Sequence, residues 1–385
     1  MQHRRLPNSA RGVLLIAALV CLGLETSRDV RAAAITGNQQ YGASTLGSGS
    51  TRPLAFINAA LNNFYTNEYT GSSWIWNAHG TPGGGPTGVG QGYGSTTVGS
   101  GSGTLPLTFV ATSGSTPILY CLDYGFTRPA NWTWTSISSA AGYLPVGASD
   151  LTMGSTQYPY VFTHDSVNIQ VFGWNINTST FDLRAQTRPP GTTGIKFGVG
   201  ALAVSTGGNY VPHAYVVASD GNLWDYYYTG VAGTWTNHGK PSPTLNTAVG
   251  TTIIASGSRP FIFLEASDGN LWSRSFSNGA WVWFNHGRPT GVTLSTPMGA
   301  TCGSSCGQPF AFVKGSDSNL WSMSWNGAWV WTNHSRPAGV TFASSVGATA
   351  VSADRPYVFI TGSDGNLWLR WWSGSAWAWS NQGHP

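Results

Sequence analysis

Ser363-Asp364-Gly365-Asn366-Leu367-Trp368 is the stretch on which the fold turns, because it recurs. The same six positions return as Ser219 to Trp224, as Ser267 to Trp272, and as Ser316 to Trp321 with Ser318 replacing the glycine. Asp-Gly supplies the positive-φ positions of a tight hairpin turn, so each copy reads as a turn that feeds a strand. An aromatic-rich stretch follows each copy, and then a short Trp segment. Three of these endings are Trp281-Val282-Trp283-Phe284-Asn285-His286-Gly287, Trp329-Val330-Trp331-Thr332-Asn333-His334-Ser335 and Trp377-Ala378-Trp379-Ser380-Asn381-Gln382-Gly383.

A proline ruler extends the count. Pro212, Pro260, Pro309 and Pro356 each stand twelve residues before the Trp of their copy. Counting back finds Pro159, Pro106 and Pro53, so the seven prolines are 53, 53, 53, 48, 49 and 47 residues apart. Small runs containing Gly47, Gly99, Gly147, Gly200, Gly250, Gly299 and Gly347 precede them. In the last unit, Val346 to Val351, Pro356 to Thr361, Leu367 to Trp372 and Ala376 to Ser380 read as four strands, and Pro is tolerated at a strand's start. Four strands in about 40–50 residues, repeated, is the propeller format.

The expected fold is therefore all-β: a seven-bladed β-propeller of four-stranded antiparallel blades. Its units are 46–96, 97–145, 146–197, 198–247, 248–296, 297–345 and 346–385. Closure is expected where blade 1 packs on blade 7, with residues 35–45 as an extra strand across that seam. Composition agrees. The 385 residues include 51 Gly, 21 Pro and 19 Trp, and 8% are charged against 41% apolar, which excludes charge-driven disorder and helical bundles.

Residues 1–34 differ from the rest. Arg4, Arg5 and Arg11 precede the apolar run Val13 to Leu24, and Ala32-Ala33-Ala34 follows, the layout of a secretory signal peptide. The run falls short of the ~20 apolar residues that a membrane span needs. The expected location is secreted, extracellular or periplasmic. Without the leader, 13 basic and 12 acidic residues leave a net charge of +1, so no basic stripe remains for nucleic acid. Cys302 and Cys306 could close a small disulfide loop; a zinc site lacks a partner pair, and no cofactor is implied. Sequons begin at Asn131, Asn177 and Asn333.

Residues two apart on a strand share a face. Trp74 with Trp76, Trp281 with Trp283, Trp329 with Trp331 and Trp377 with Trp379 are such pairs, and Trp235 stands singly. Each can pack blade on blade, or offer an indole face to the C–H face of a pyranose. His79, His238, His286 and His334 occupy one repeat position, with Gln186 and Gln382 as counterparts. They can hold a turn or meet a sugar hydroxyl. Arg52, Arg259 and Arg355 precede the ruler prolines and can form loop ion pairs or donate to sugar oxygens. Asp220, Asp268, Asp317 and Asp364 read as turn-holding residues. Only Glu68 and Glu265 follow the leader, and no unique carboxylate pair, nucleophile elbow or metal motif stands out, so an enzyme is not expected.

The unit Arg-Pro…Ser-Asp-Gly-Asn-Leu-Trp…Trp-x-Trp-x-Asn-His-Gly-x-Pro resembles the repeats of PLL-like bacterial lectins and, more loosely, tectonin repeats. The resemblance is good over 198–385, fair over 46–82 and poor over 97–190. It implies a secreted seven-bladed propeller that binds fucose or related monosaccharides on cell-surface glycoconjugates, at sites between blades. The sugar-binding residues would be the Trp, His and Arg residues named above. Blades 4 to 7 and blade 1 would be the better carriers, because unit 2 has no His and unit 3 has Phe181 and Leu183 for the Trp pair. A protein-interaction or structural propeller is the rival reading, and a propeller glycoside hydrolase a third.

Overall fold

The computed structural model describes residues 42–385 apart from 47–51, 60–62, 85–87, 101–102, 127–130, 154–155, 207–208, 255–257, 278, 304–305 and 352–354. The signal-peptide reading of 1–34 and Gly47 lie outside the described residues. The described residues form one compact unit.

Seven four-stranded antiparallel sheets follow one another in chain order, at 43–80, 89–139, 144–187, 195–239, 245–287, 294–333 and 342–383. These are blades 1 to 7. In each blade, successive strands pair with their neighbours, so the first strand in sequence lies at one edge and the fourth at the other. The first strands stand around a central channel of about 530 Å³, lined by Gly42, Gly94, Gly147, Gly200, Gly250, Gly299 and Gly347. In six blades the strand pairing slips by one residue beside this glycine, a β-bulge that bends the strand around the axis.

Glycine is required there because neighbouring blades touch. A Cβ on Gly147 would lie 2.5 Å from the Ala201 nitrogen, and one on Gly347 would lie 2.9 Å from the Ala43 nitrogen. Gly147→Ala is expected to lower unfolding free energy by about 2–3 kcal/mol, since backbone must move to admit the methyl. Urea denaturation checks this, and a loss under about 0.5 kcal/mol would contradict it.

The channel glycine of blade 1 is Gly42 and that of blade 2 is Gly94. Of the residues 35–45 read as an extra strand, 35–41 lie outside the described residues, and Ala43–Leu46 form the first strand of blade 1. Blade 1 seals the ring, with Gly42 N–H donating to the Val346 carbonyl at 3.0 Å. Blades also begin earlier than the expected units: blade 2 at Val89 rather than 97, and blade 7 at Phe342 rather than 346.

The core is interblade. Phe56, Phe109, Phe162, Tyr215, Phe263, Phe312 and Phe359, three residues after each ruler proline, are all fully buried. Strand alternation points every such ring at the next blade, where it packs in a cluster shared by the two sheets.

Candidate interblade saccharide site

The turn aspartates have the structural role expected of them. Asp364 accepts the Asn366 backbone N–H at 3.2 Å and the Trp368 indole N–H at 3.0 Å, and the pattern repeats at Asp220, Asp268 and Asp317. This closes one rim of each of these blades.

The Trp pairs of the fourth strands clamp consecutive blades. The second Trp of each pair donates its indole N–H backwards: Trp283 to the His238 carbonyl (3.2 Å), Trp331 to His286 (3.0 Å), Trp379 to His334 (3.0 Å), Trp134 to His79 (2.9 Å) and Trp76 to Gln382 (3.0 Å). Trp235 reaches Thr187 Oγ1 at 3.4 Å. The first Trp lies against the preceding blade's His ring. Centroids are 4.2 Å apart for His238–Trp281 and His286–Trp329, 4.4 Å for His334–Trp377 and 4.6 Å for His79–Trp132.

The histidines thus sit as wedges between consecutive blades. His79 bonds Thr66 Oγ1 at 2.9 Å, His286 bonds Ser273 Oγ at 2.7 Å and His334 bonds Ser322 Oγ at 2.8 Å. His238 is buried beside Asp225 Oδ2, 4.0 Å away. Burial pulls His79 and His286 down to about 4; burial, with the Arg370 charge, pulls His334 down to about 3. A neutral ring held between an indole and a hydroxyl has little left for a sugar. A signal for this was present in the repeat: Thr66, Ser273, Ser322 and Asp225 stand where His follows, but Leu369 stands where Gln382 does.

Burial pushes the Asp225 carboxyl up, but His213, 2.8 Å away, and His238 more than offset this and hold it below the usual range. Among the described residues no group of three His, Cys, Asp or Glu side chains could hold a metal ion.

What stays open lies at the other rim. Between blades 6 and 7 a cleft of about 260 Å³ is lined by Gln308, Ser324, Asn326 and Thr332 on one side and by Trp372 and Trp377 on the other. Gln308 holds the position that Arg52, Arg259 and Arg355 hold in their blades. The structure thus joins an Arg-type position of one blade to the first Trp of the next, not to the Trp pair of its own blade. Trp372 was missed in sequence, although its position is aromatic in all seven blades: Tyr69, Tyr124, Trp174, Tyr228, Phe276, Trp325 and Trp372. Cross-strand pairing sets it beside the first Trp, at 5.8 Å for Trp372–Trp377 and 5.6 Å for Trp325–Trp329.

The arginines differ from one another. Arg52 pairs with Glu68, which also accepts from Asn77 at 3.3 Å. Arg259 donates to the Phe276 carbonyl and to Ser277 Oγ, each at 3.3 Å. Arg355 is exposed. Cys302 and Cys306 form a disulfide in the hairpin that carries Gly303 and Gln308 to the cleft. A further cleft of about 640 Å³ lies between blades 2 and 3, with Trp134, Tyr158 and Trp174 in its lining, although those blades looked the poorer carriers in sequence.

No protein-family model and no curated protein matches the chain. Solved structures do match. A mutant of Aleuria aurantia lectin in complex with Fucα1-6GlcNAc is 15% identical, with 92% of this chain and 99% of that chain covered and a TM-score of 0.53. The BP39L lectin of Burkholderia pseudomallei is 16% identical, with 89% and 98% covered and a TM-score of 0.56. This chain shares their fold. AofleA from Arthrobotrys oligospora is 10% identical, with 91% and 88% covered and a TM-score of 0.51. The Aleuria lectin is described as six-bladed, so the likeness lies in the propeller architecture and not in blade number.

Proposed function

We propose that the protein is a secreted, multivalent carbohydrate-binding propeller, a lectin without catalytic activity. The observation that carries this reading is the cleft between blades 6 and 7. Two indoles face amide and hydroxyl groups there, and none of its lining residues is charged. An indole plane complements the C–H face of a pyranose, while Gln308, Asn326 and Thr332 can donate to and accept from ring hydroxyls. Fucose or a related monosaccharide is the proposed ligand, supported by the Aleuria lectin, which has been solved with a methyl fucoside. A single shallow cleft binds weakly, and several on one ring raise avidity by ~10²–10⁴ on a glycan-coated surface.

A purely structural or protein-binding propeller is the second reading. The indole N–H commitments of Trp76, Trp283, Trp331 and Trp379 favour it, because these groups serve the blade contacts. Calorimetric titration with fucose separates the two. Saturable binding that Trp372→Ala or Asn326→Ala weakens at least about tenfold is expected for the lectin; a loss of about 1.4 kcal/mol already gives that factor. No saturable binding across a monosaccharide panel would sink it.

A further inference from the structure

The positions that line the cleft between blades 6 and 7 recur in the other blades, but not with the same charge. In blade 1, Glu68 neutralises Arg52. In blade 6, Gln308 removes the charge altogether. In blade 5, Arg259 stands with no carboxylate against it: among the described residues its hydrogen bonds go to a backbone carbonyl and a serine hydroxyl, and it enters no ion pair. The neighbouring segment 255–257 is Ala-Ser-Gly and brings no acid.

The acids of blades 5 and 6 are remote from it. Arg259 opens the strand Arg259–Ala266, and Glu265 and the Asp268 turn lie at the far end of that strand. At about 3.3 Å per residue the separation is about 20 Å, more than twice the ~8 Å screening length at physiological salt. Asp317 holds the matching far-end turn of blade 6. The ring of His286, on the same blade and packed against Trp329, is neutral above about pH 4.

Around Arg259 the ring contacts repeat those that line the cleft between blades 6 and 7. Phe261, two residues after Arg259, lies 5.9 Å from Trp329 of blade 6. Trp325, 5.6 Å from Trp329, is 41% exposed. Ser275, at the position of Ser324, is fully buried, and among the described residues its hydroxyl has no hydrogen-bond partner. Guanidinium carries five donors in a planar fork, and two N–H directions are used here. The remaining donors match a planar carboxylate or a sulfate oxygen edge better than they match one hydroxyl.

We infer that the cleft between blades 5 and 6 selects a saccharide bearing a carboxylate or sulfate, whereas the cleft between blades 6 and 7 takes neutral sugar. This rests on the carbohydrate reading above and adds a charge class to one site. The protein's own repeat supplies the test. Arg259→Gln installs the blade 6 residue in blade 5, and Gln308→Arg does the reverse. Wild type and both variants are applied, as the full mature chain, to an array that pairs each neutral glycan with its uronic or sulfated form. Far-ultraviolet dichroism checks that each variant is folded.

The readout is the ratio of anionic to neutral binding. It should fall at least about fivefold in Arg259→Gln, rise in Gln308→Arg, and in wild type decline as salt is raised from 50 to 500 mM. An unchanged ratio in both variants, with neutral glycans still bound, overturns the charge assignment alone. Failure of wild type to bind any glycan, neutral or anionic, overturns the carbohydrate reading and this assignment with it.

Discussion

Acidification is expected to unfold the ring between about pH 6 and pH 4. His79, His286 and His334 are held near 4, 4 and 3 against an ordinary 6.5. The fold accepts only their neutral rings. The stability they contribute is fully present above pH 6.5 and is lost as the pH falls through those depressed values. Each is worth about 3 kcal/mol or more, and the three together about 10 kcal/mol, which is of the order of a whole domain's stability. Asp150 acts in the opposite sense. Burial raises its carboxyl to about 7, so its contribution is fully present below 3.8 and lost as the pH rises through 7. That returns at most about 4 kcal/mol on acidification, less than half of the histidine sum. Melting curves at pH 7.5, 5.5 and 4.5 should show a steep fall. The triple variant His79→Gln, His286→Gln, His334→Gln uses the residue that blade 7 already carries at Gln382, and should flatten it. An equally steep fall in that variant would contradict the wedge role.

Trp377→Ala is expected to cost about 3–5 kcal/mol and to abolish the cleft between blades 6 and 7. Its indole lies 4.4 Å from His334, 6.0 Å from Phe310, 6.1 Å from Phe312 and 5.8 Å from Trp372, measured between ring centres. Truncation leaves a hole between two blades that their rigid sheets cannot close. Trp377→Phe should cost under half as much, because Phe181 fills the corresponding position in blade 3. Urea denaturation measures both. A loss below about 1 kcal/mol for the alanine variant would show that the blades do not depend on this ring.

The blade count was legible because one residue type marks one geometric event. One proline lies in the second strand of every blade, three residues before its buried ring, and its restriction there does not depend on what the neighbouring blade is doing. The phase of the first two blades was harder to read. Gly42, Gly47 and Gly49 crowd one short stretch, and only contact with the next blade marks Gly42 as the channel glycine. The Trp pairs were legible as one face, but not which blade that face addresses, since their partners lie about 45 residues away in sequence. The histidines misled for the same reason. A side chain that can donate and accept suits a sugar hydroxyl and a buried serine equally, and only burial decides between them. Trp372 escaped notice because its repeat position varies among Tyr, Phe and Trp.

The most direct measurement is a crystal structure of the mature protein soaked in methyl α-L-fucoside. The account predicts sugar density between blades 6 and 7, with the ring's C–H face on Trp372 or Trp377 and hydroxyls within reach of Gln308 or Asn326. Well-diffracting crystals with sugar only in the central channel, or with none between any blades, would contradict it.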